Sequence, residues 1–222
     1  CCLLVATTTC AGTSGSLGED APGKNKAEVY ITTADRQQSF NHITQELSKV
    51  SASESVITIN PTVRYQEMDG FGAAVTGSTC YNLMQMTPEA RQALLKRIYS
   101  TTEGYGVSYA RISLGCNDFS STEYTYCDTK GSESDPISNF ALYSDENDYV
   151  IPVLKEILAI NPNLKIIAAP WTCPKWMKVT DINTKNPKDS WTDGHLNPDY
   201  REVYAKYFVK FINVMKEKGI NI

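Results

Sequence analysis

The sequence holds only two histidines, His42 and His195, and its seven cysteines form no C-x-x-C pair. A histidine-rich metal site and a zinc ribbon are therefore not expected. No stretch of about 18 apolar residues occurs, so no membrane-spanning helix is expected. Neither sign of charge dominates: 21 Lys and Arg stand against 25 Asp and Glu, a net charge of −4. Nucleic-acid binders ordinarily carry a basic face, and this balance argues against one. Phosphate-cradling patterns are missing too. "DGFGAAVTG" has glycines but not the G-x-G-x-x-G order, and there is no Walker sequence. What remains is a mildly acidic chain of 222 residues with 41 % hydrophobic content. That is enough for one large domain, or one domain plus a fragment.

The first residue is Cys1. "CCLLVATTTCAG" has an apolar stretch followed by small residues, like the tail of an export signal, and "AGTSGSLGEDAPGKNK" reads as a flexible tether. Residues 1–20 are thus expected to be a signal remnant and tether of an exported protein, extracellular, cell-surface or periplasmic. Cys10 stands where a bacterial lipoprotein carries its lipid, although Thr7, Thr8 and Thr9 make a poor attachment box. A lipid there is the one membrane attachment the sequence suggests. Of the later cysteines, Cys116 and Cys127 are either a disulfide or two buried thiols.

Two β-rich segments come next, "AEVYITT" and "ESVITIN". They lack crossover helices, so residues 21–64 are expected to form strands of a side β-sheet. From Met68 the pattern turns to β-α-β-α-β-α-β. "VRYQEMDGFGAAV" reads as a strand entering a glycine bend. "TPEARQALLKRIYS" reads as a helix capped by Thr87, with Pro88 in its first turn and Leu94, Leu95 and Ile98 on one side. "VSYARISLG" is a strand, "NDYVIPVLKEILAIN" a helix, and "LKIIAAP" a strand apolar enough for burial on both faces. "PDYREVYAKYFVKFINVMKEKG" is a long amphipathic helix, and "INI" opens another strand. This order implies parallel strands. A doubly wound sheet and a (β/α)8 barrel both fit, but the first normally brings a phosphate-binding glycine loop. Barrel strands near 68, 107, 164 and 220 are about 50 residues apart, so eight units need about 400 residues. Residues 65–222 would then be the N-terminal half of a TIM barrel.

Function in a barrel sits at the C-terminal ends of the strands. Here those ends are "DGFGAA", "RISLGCNDFS" and "AAPWTCPKWMK". Gly70-Phe71-Gly72-Ala73 with Thr76, Arg111 with Asp118-Phe119-Ser120, and Ala169-Pro170-Trp171-Thr172 with Pro174, Trp176, Met177 and Lys178 stand in order. Together they resemble glycoside hydrolase family thirty, the glucosylceramidase and β-1,6-glucanase family. "YTYCDT" and "YAKYFVKFI" are similar to it as well, and the likeness spans roughly residues 56–222.

The resemblance implies a retaining β-glycosidase with no cofactor, acting on a β-linked glucan or glucoside. It implies that Asp118 accepts hydrogen bonds from sugar hydroxyls, that Trp171 packs on a sugar ring, and that Arg111 supports the nucleophile carboxylate. Trp191, in "DSWTDGHLNPDY", is expected either near a further subsite or in plain loop packing. Trp176, with Pro174, is expected to be structural, as is Asp69. The family uses two glutamates near the ends of its fourth and seventh strands, so both are expected beyond Ile222 and the fragment alone to be inactive. Glu123 and Asp128 are the nearby carboxylates, and neither is assigned a catalytic role. The rival reading is a non-catalytic glycan-binding protein on the same barrel.

Overall fold

The computed structural model describes residues 26–46, 60 and 62–222. The chain divides into two compact units, Cys1–Gln66 and Glu67–Ile222. In the first, β1 (Lys26–Ile31) pairs antiparallel with β2 (Asn41–Glu46), with Lys26 opposite Glu46 and Ile31 opposite Asn41. Tyr30 stacks on Phe40 and His42 at 5.0 and 4.6 Å, the kind of cross-strand aromatic pairing that stabilises a two-stranded ribbon. β1 coincides with "AEVYITT". Its partner was not expected from the polar "NHITQE". Residues 54–59, the body of the second expected strand, lie outside the described residues.

The second unit is built on a parallel sheet of order β3-β4-β5. β3 (Gly72–Ala74), β4 (Tyr109–Leu114) and β5 (Lys165–Pro170) align with Gly72 opposite Tyr109, and Tyr109 opposite Lys165. The first strand is shorter and later than the sequence suggests: residues 62–71 carry no strand. Two glycines explain the bend. Gly70 has φ +142°, a conformation side chains rarely adopt. A Cβ on Gly72 would sit 2.2 Å from the Tyr109 carbonyl oxygen.

Between β3 and β4 run α1 (Gly77–Gln85) and α2 (Pro88–Tyr99). α1 was not anticipated; Thr76 caps it, its hydroxyl accepting from Thr79 N–H at 3.2 Å. α2 has the expected Thr87 cap and Pro88, and it buries Leu95 while Leu94 stays exposed. A wide π-type turn, Glu146–Val150, leads into α3 (Ile151–Ile160). There Ile151 N–H bonds back to Glu146 C=O, just before Pro152, which has no N–H to donate. Arg91 on α2 forks onto Glu156 on α3, with Nε and one terminal nitrogen at 2.9 Å. After β5, the two-residue strands β6 (Lys178–Val179) and β7 (His195–Leu196) pair antiparallel, and α4 (Arg201–Glu217) follows.

The core lies between this sheet and its helices. Ala110, Ile112 and Leu114 of β4 and Ile166 of β5 are buried with Leu95, Leu154, Ile157 and Phe211. The opposite sheet face is open: Ile167 is 52 % exposed. β5 is therefore not buried on both faces, because alternate side chains of a strand point to opposite sides and only one side is covered among the described residues. Residues 220–222 make no ladder pairing, though Ile220 is fully buried. No helix among the described residues is long and apolar enough to cross a membrane.

Candidate functional site

Because β4 and β5 run parallel, Asp118 and Trp171, which follow their last residues, stand at the same end of the sheet. Asp118 lies in a tight turn, Asn117–Ser120, closed by Ser120 N–H to Asn117 C=O at 3.0 Å. The turn's own capping is done by Asn117: its side-chain oxygen accepts from Phe119 N–H at 2.8 Å, and its amide donates to the Ser113 hydroxyl at 2.5 Å. Ser78 on α1 donates to the Phe119 carbonyl. Asp118 is exposed and has no hydrogen-bond or ion-pair partner among the described residues. The turn is thus capped by Asn117 and not by Asp118.

Asp128 is committed elsewhere: its carboxylate accepts from the Thr125 N–H and hydroxyl, the latter at 2.6 Å. Asp69 pairs with Lys165 at 3.5 Å, at the opposite, N-terminal end of the strands, in keeping with a structural role. Arg111 on β4 lies on the open sheet face. It is exposed rather than buried, since that face is uncovered, and it has no partner among the described residues.

Trp171 is 51 % exposed. It and Trp191 line one open cleft of about 480 Å³, with Pro170, Thr172 and Tyr204 among the other walls. Trp176 is held differently. Its indole N–H donates to Cys127 C=O at 2.7 Å, and its ring meets Tyr200 edge-on at 5.1 Å, so it is a structural residue as expected. The Trp191 ring is partly buried, and the Lys175 ammonium stands 5.1 Å from its centre.

Two supports escaped the sequence. The first is Glu146, which is 4 % exposed and accepts from the Tyr124 and Tyr126 hydroxyls at 2.7 and 2.9 Å. Its other oxygen is buried without a partner. Burial pushes this carboxyl up to about 7, against the two tyrosine hydrogen bonds that hold it down. Tyr126 in turn lies flat on Phe211 of α4 at 5.4 Å, and its N–H donates to the Tyr207 hydroxyl. The loop carrying Asp118 is so anchored to α4, since Cys116 N–H bonds to Tyr124 C=O. "YTYCDT" displayed the tyrosines, but nothing local in "DENDY" marked Glu146 as buried. The second is Lys178, buried beneath the loop that carries Trp191.

Cys80, Cys116, Cys127 and Cys173 are free and buried, so Cys116 and Cys127 are two thiols and not a disulfide. Burial raises the Cys80 thiol to about 12 and lifts the other three as well, which disfavours a thiolate nucleophile. Among the described residues no group of three or more His, Cys, Asp or Glu is placed to hold a metal ion.

Residues 68–222 match the glycosyl hydrolase family 30 TIM-barrel domain. The chain belongs to glycosyl hydrolase family 30. A solved endo-β1,6-glucanase is 53 % identical and superposes with a TM-score of 0.75 over 90 % of this chain and 42 % of its own. Putative glucosylceramidase 1 of Caenorhabditis elegans is 32 % identical over 165 residues, covering 74 % of this chain and 30 % of its own length. The endo-1,6-β-D-glucanase neg1 of Aspergillus fumigatus is 34 % identical over 167 residues, covering 71 % and 33 %. The chain thus spans about a third of the length of the curated relatives it matches. The three-stranded parallel sheet is part of the family 30 barrel.

Proposed function

We propose that the polypeptide carrying this chain is a retaining hydrolase of β-linked glucosides, acting on β-1,6-linked glucan, and that this chain supplies its sugar-holding half. The observation that carries the reading is that an uncommitted carboxylate, Asp118, stands at the same C-terminal end of the strands as an open cleft walled by two tryptophans. Sugar rings have flat C–H faces that aromatic rings cover, and their hydroxyls need acceptors at the rim. The 53 % identity to an endo-β1,6-glucanase supports the glucan over a ceramide-linked glucoside.

In this reading Trp171 packs on a ring and Asp118 accepts its hydroxyls. The acid/base and nucleophile are two glutamates contributed by the full-length polypeptide beyond Ile222, and Arg111 stands ready to hold the nucleophile from the open sheet face. Those carboxyls would be about 5–5.5 Å apart, so the first step forms a covalent glycosyl-enzyme and the second returns the β configuration. The unpaired chain is inactive. Export, with or without a lipid on Cys10, is part of the same proposal and rests on the leader sequence.

The test uses the full-length polypeptide and β-1,6-gluco-oligosaccharides, with proton NMR of the first sugar released. A β-configured product supports the reading and an α-configured one overturns it. Binding without turnover favours a glycan-binding protein instead. Asp118→Ala should lower turnover ten- to a few-hundredfold, as for loss of one hydrogen bond to a charged acceptor that tightens in the transition state.

A further inference from the structure

The cleft is bordered by a buried cation that the proposed chemistry does not use. Lys178 is 6 % exposed. Its ammonium donates to three backbone carbonyls, those of Ser190 at 2.8 Å, Trp191 at 2.9 Å and Asp193 at 3.3 Å. An ammonium has three protons, and here each has an acceptor. None is left for a sugar hydroxyl, although the side chain lines the same cleft as Trp171 and Trp191. Nor is a carboxylate within ion-pair distance among the described residues, since the Asp193 carboxylate is taken by Lys188 at 2.8 Å. A buried ammonium is costly unless compensated. The compensation in this case is the orientation of those three carbonyl dipoles, so the charge and the shape of loop 190–193 depend on each other.

We propose that Lys178 is a positioning residue that sets where the Trp191 ring stands on the cleft wall, and so governs how the site holds the outer part of a sugar chain. The rest of the loop fits this division of labour. Its base is closed by the β6–β7 pairing and by Lys188 N–H to Lys178 C=O at 3.0 Å. Gly194, with φ +93°, turns the chain back beside the Val179 carbonyl. Only the tip, where Trp191 sits, depends on the ammonium. Lys175 covers the indole at 5.1 Å and pairs with Asp189 at 2.6 Å, a contact to the ring rather than to the backbone. Trp171 follows β5 directly and needs none of this. Losing the ammonium therefore moves one tryptophan and spares the other. The consequence for sugar binding rests on the proposed function; the positional claim does not.

The experiment labels the full-length polypeptide with 5-fluorotryptophan and follows fluorine NMR, with Trp191→Phe to assign its resonance. In Lys178→Met the Trp191 resonance should shift and broaden while those of Trp171 and Trp176 stay in place. Lys178→Arg, which keeps donors and charge, should hold it nearer its original position. On long β-1,6-gluco-oligosaccharides, Lys178→Met should raise KM about tenfold while kcat falls less than threefold, the mark of lost uniform binding. Adding it to Trp191→Ala should bring no further loss, because the lysine acts through that ring. An unmoved Trp191 resonance, or losses that multiply in the double variant, would overturn the proposal. If Lys178→Met does not fold, Lys178→Gln, which removes the charge, is read the same way. A parent protein that neither binds nor cleaves the glucan sinks the functional reading alone, and the fluorine spectra still decide the role of Lys178.

Discussion

Two of the loops that bring candidate sugar contacts, those after β4 and β6, are held by different physics. The loop after β4, residues 115–140, presents Asp118 and is fastened from beneath by buried rings: Tyr126 lies on Phe211 and Tyr207, and the buried Tyr124 is covered by the exposed Tyr143 at 4.1 Å, with Glu146 accepting from the Tyr124 and Tyr126 hydroxyls. The loop after β6, residues 180–194, presents Trp191 and is gathered around one buried ammonium, with ion pairs only at its surface. The first arrangement draws on apolar area removed from water, which is large and not subject to charge screening. The second draws on directed hydrogen bonds, which give shape more than stability. Asp118 should therefore be held by the core itself, and Trp191 by a local device that one substitution can release.

The sharpest way to break this contrast is Tyr126→Ala. It removes a ring that is 2 % exposed and strips Glu146 of a donor. A loss of about 4 kcal/mol is expected from the cavity and the orphaned acceptor together, read as a lower urea midpoint of the full-length polypeptide. Tyr126→Phe, which keeps the ring, should lose only about 1 kcal/mol.

Glu146 sharpens the same comparison through pH. Its carboxyl is raised from about 4.5 to about 7 in the folded protein. The folded state then binds the proton more tightly than the unfolded chain does. The stabilisation is fully present below about pH 4.5 and is lost as pH rises through about 7, a change on the order of 3 kcal/mol. Urea midpoints compared at pH 4.5 and 8 should show that fall, and Glu146→Gln should flatten it. A pH-independent difference between parent and variant would remove Glu146 from the account.

The β6 loop should give smaller effects. Asp193→Asn removes the charge of its exposed pair with Lys188 and keeps an oxygen to accept from Gly194 N–H. Surface pairs are largely screened, so the unfolding midpoint should stay within measurement error. A clear drop would show that the loop leans on its surface charges more than on Lys178.

Much of the barrel half was legible because its signals are local. Thr87 and Pro88 mark the start of α2 from neighbouring positions alone, and β4 and β5 are apolar runs of strand length. The "CNDFS" and "APWTCPKW" segments stood out as strand ends, where a parallel sheet exposes its loops, and their resemblance to the family singled out Asp118 and Trp171. α1 was missed because "GSTCYNLMQ" is short and weakly periodic, and its start depends on a single hydroxyl, that of Thr76. β2 was missed because "NHITQE" is polar and becomes a strand only by pairing with β1. Burial of Ile167 was overestimated because composition says how apolar a strand is, not which of its faces is covered.

By itself the sequence determined the alternation of strands and helices, the caps, the glycine bend at Gly70 and Gly72, and the residues waiting at the strand ends. These follow from backbone sterics and from periodicities of two to four residues, which neighbouring positions encode. Only the tertiary structure decided that Asn117 closes the turn and leaves Asp118 uncommitted, that Tyr124 and Tyr126 converge on Glu146, and that Lys178 gathers the backbone beneath Trp191. Most of those contacts join residues more than ten positions apart. Their energies come from burial and from three-dimensional hydrogen-bond geometry, and neither exists until the chain has closed on itself.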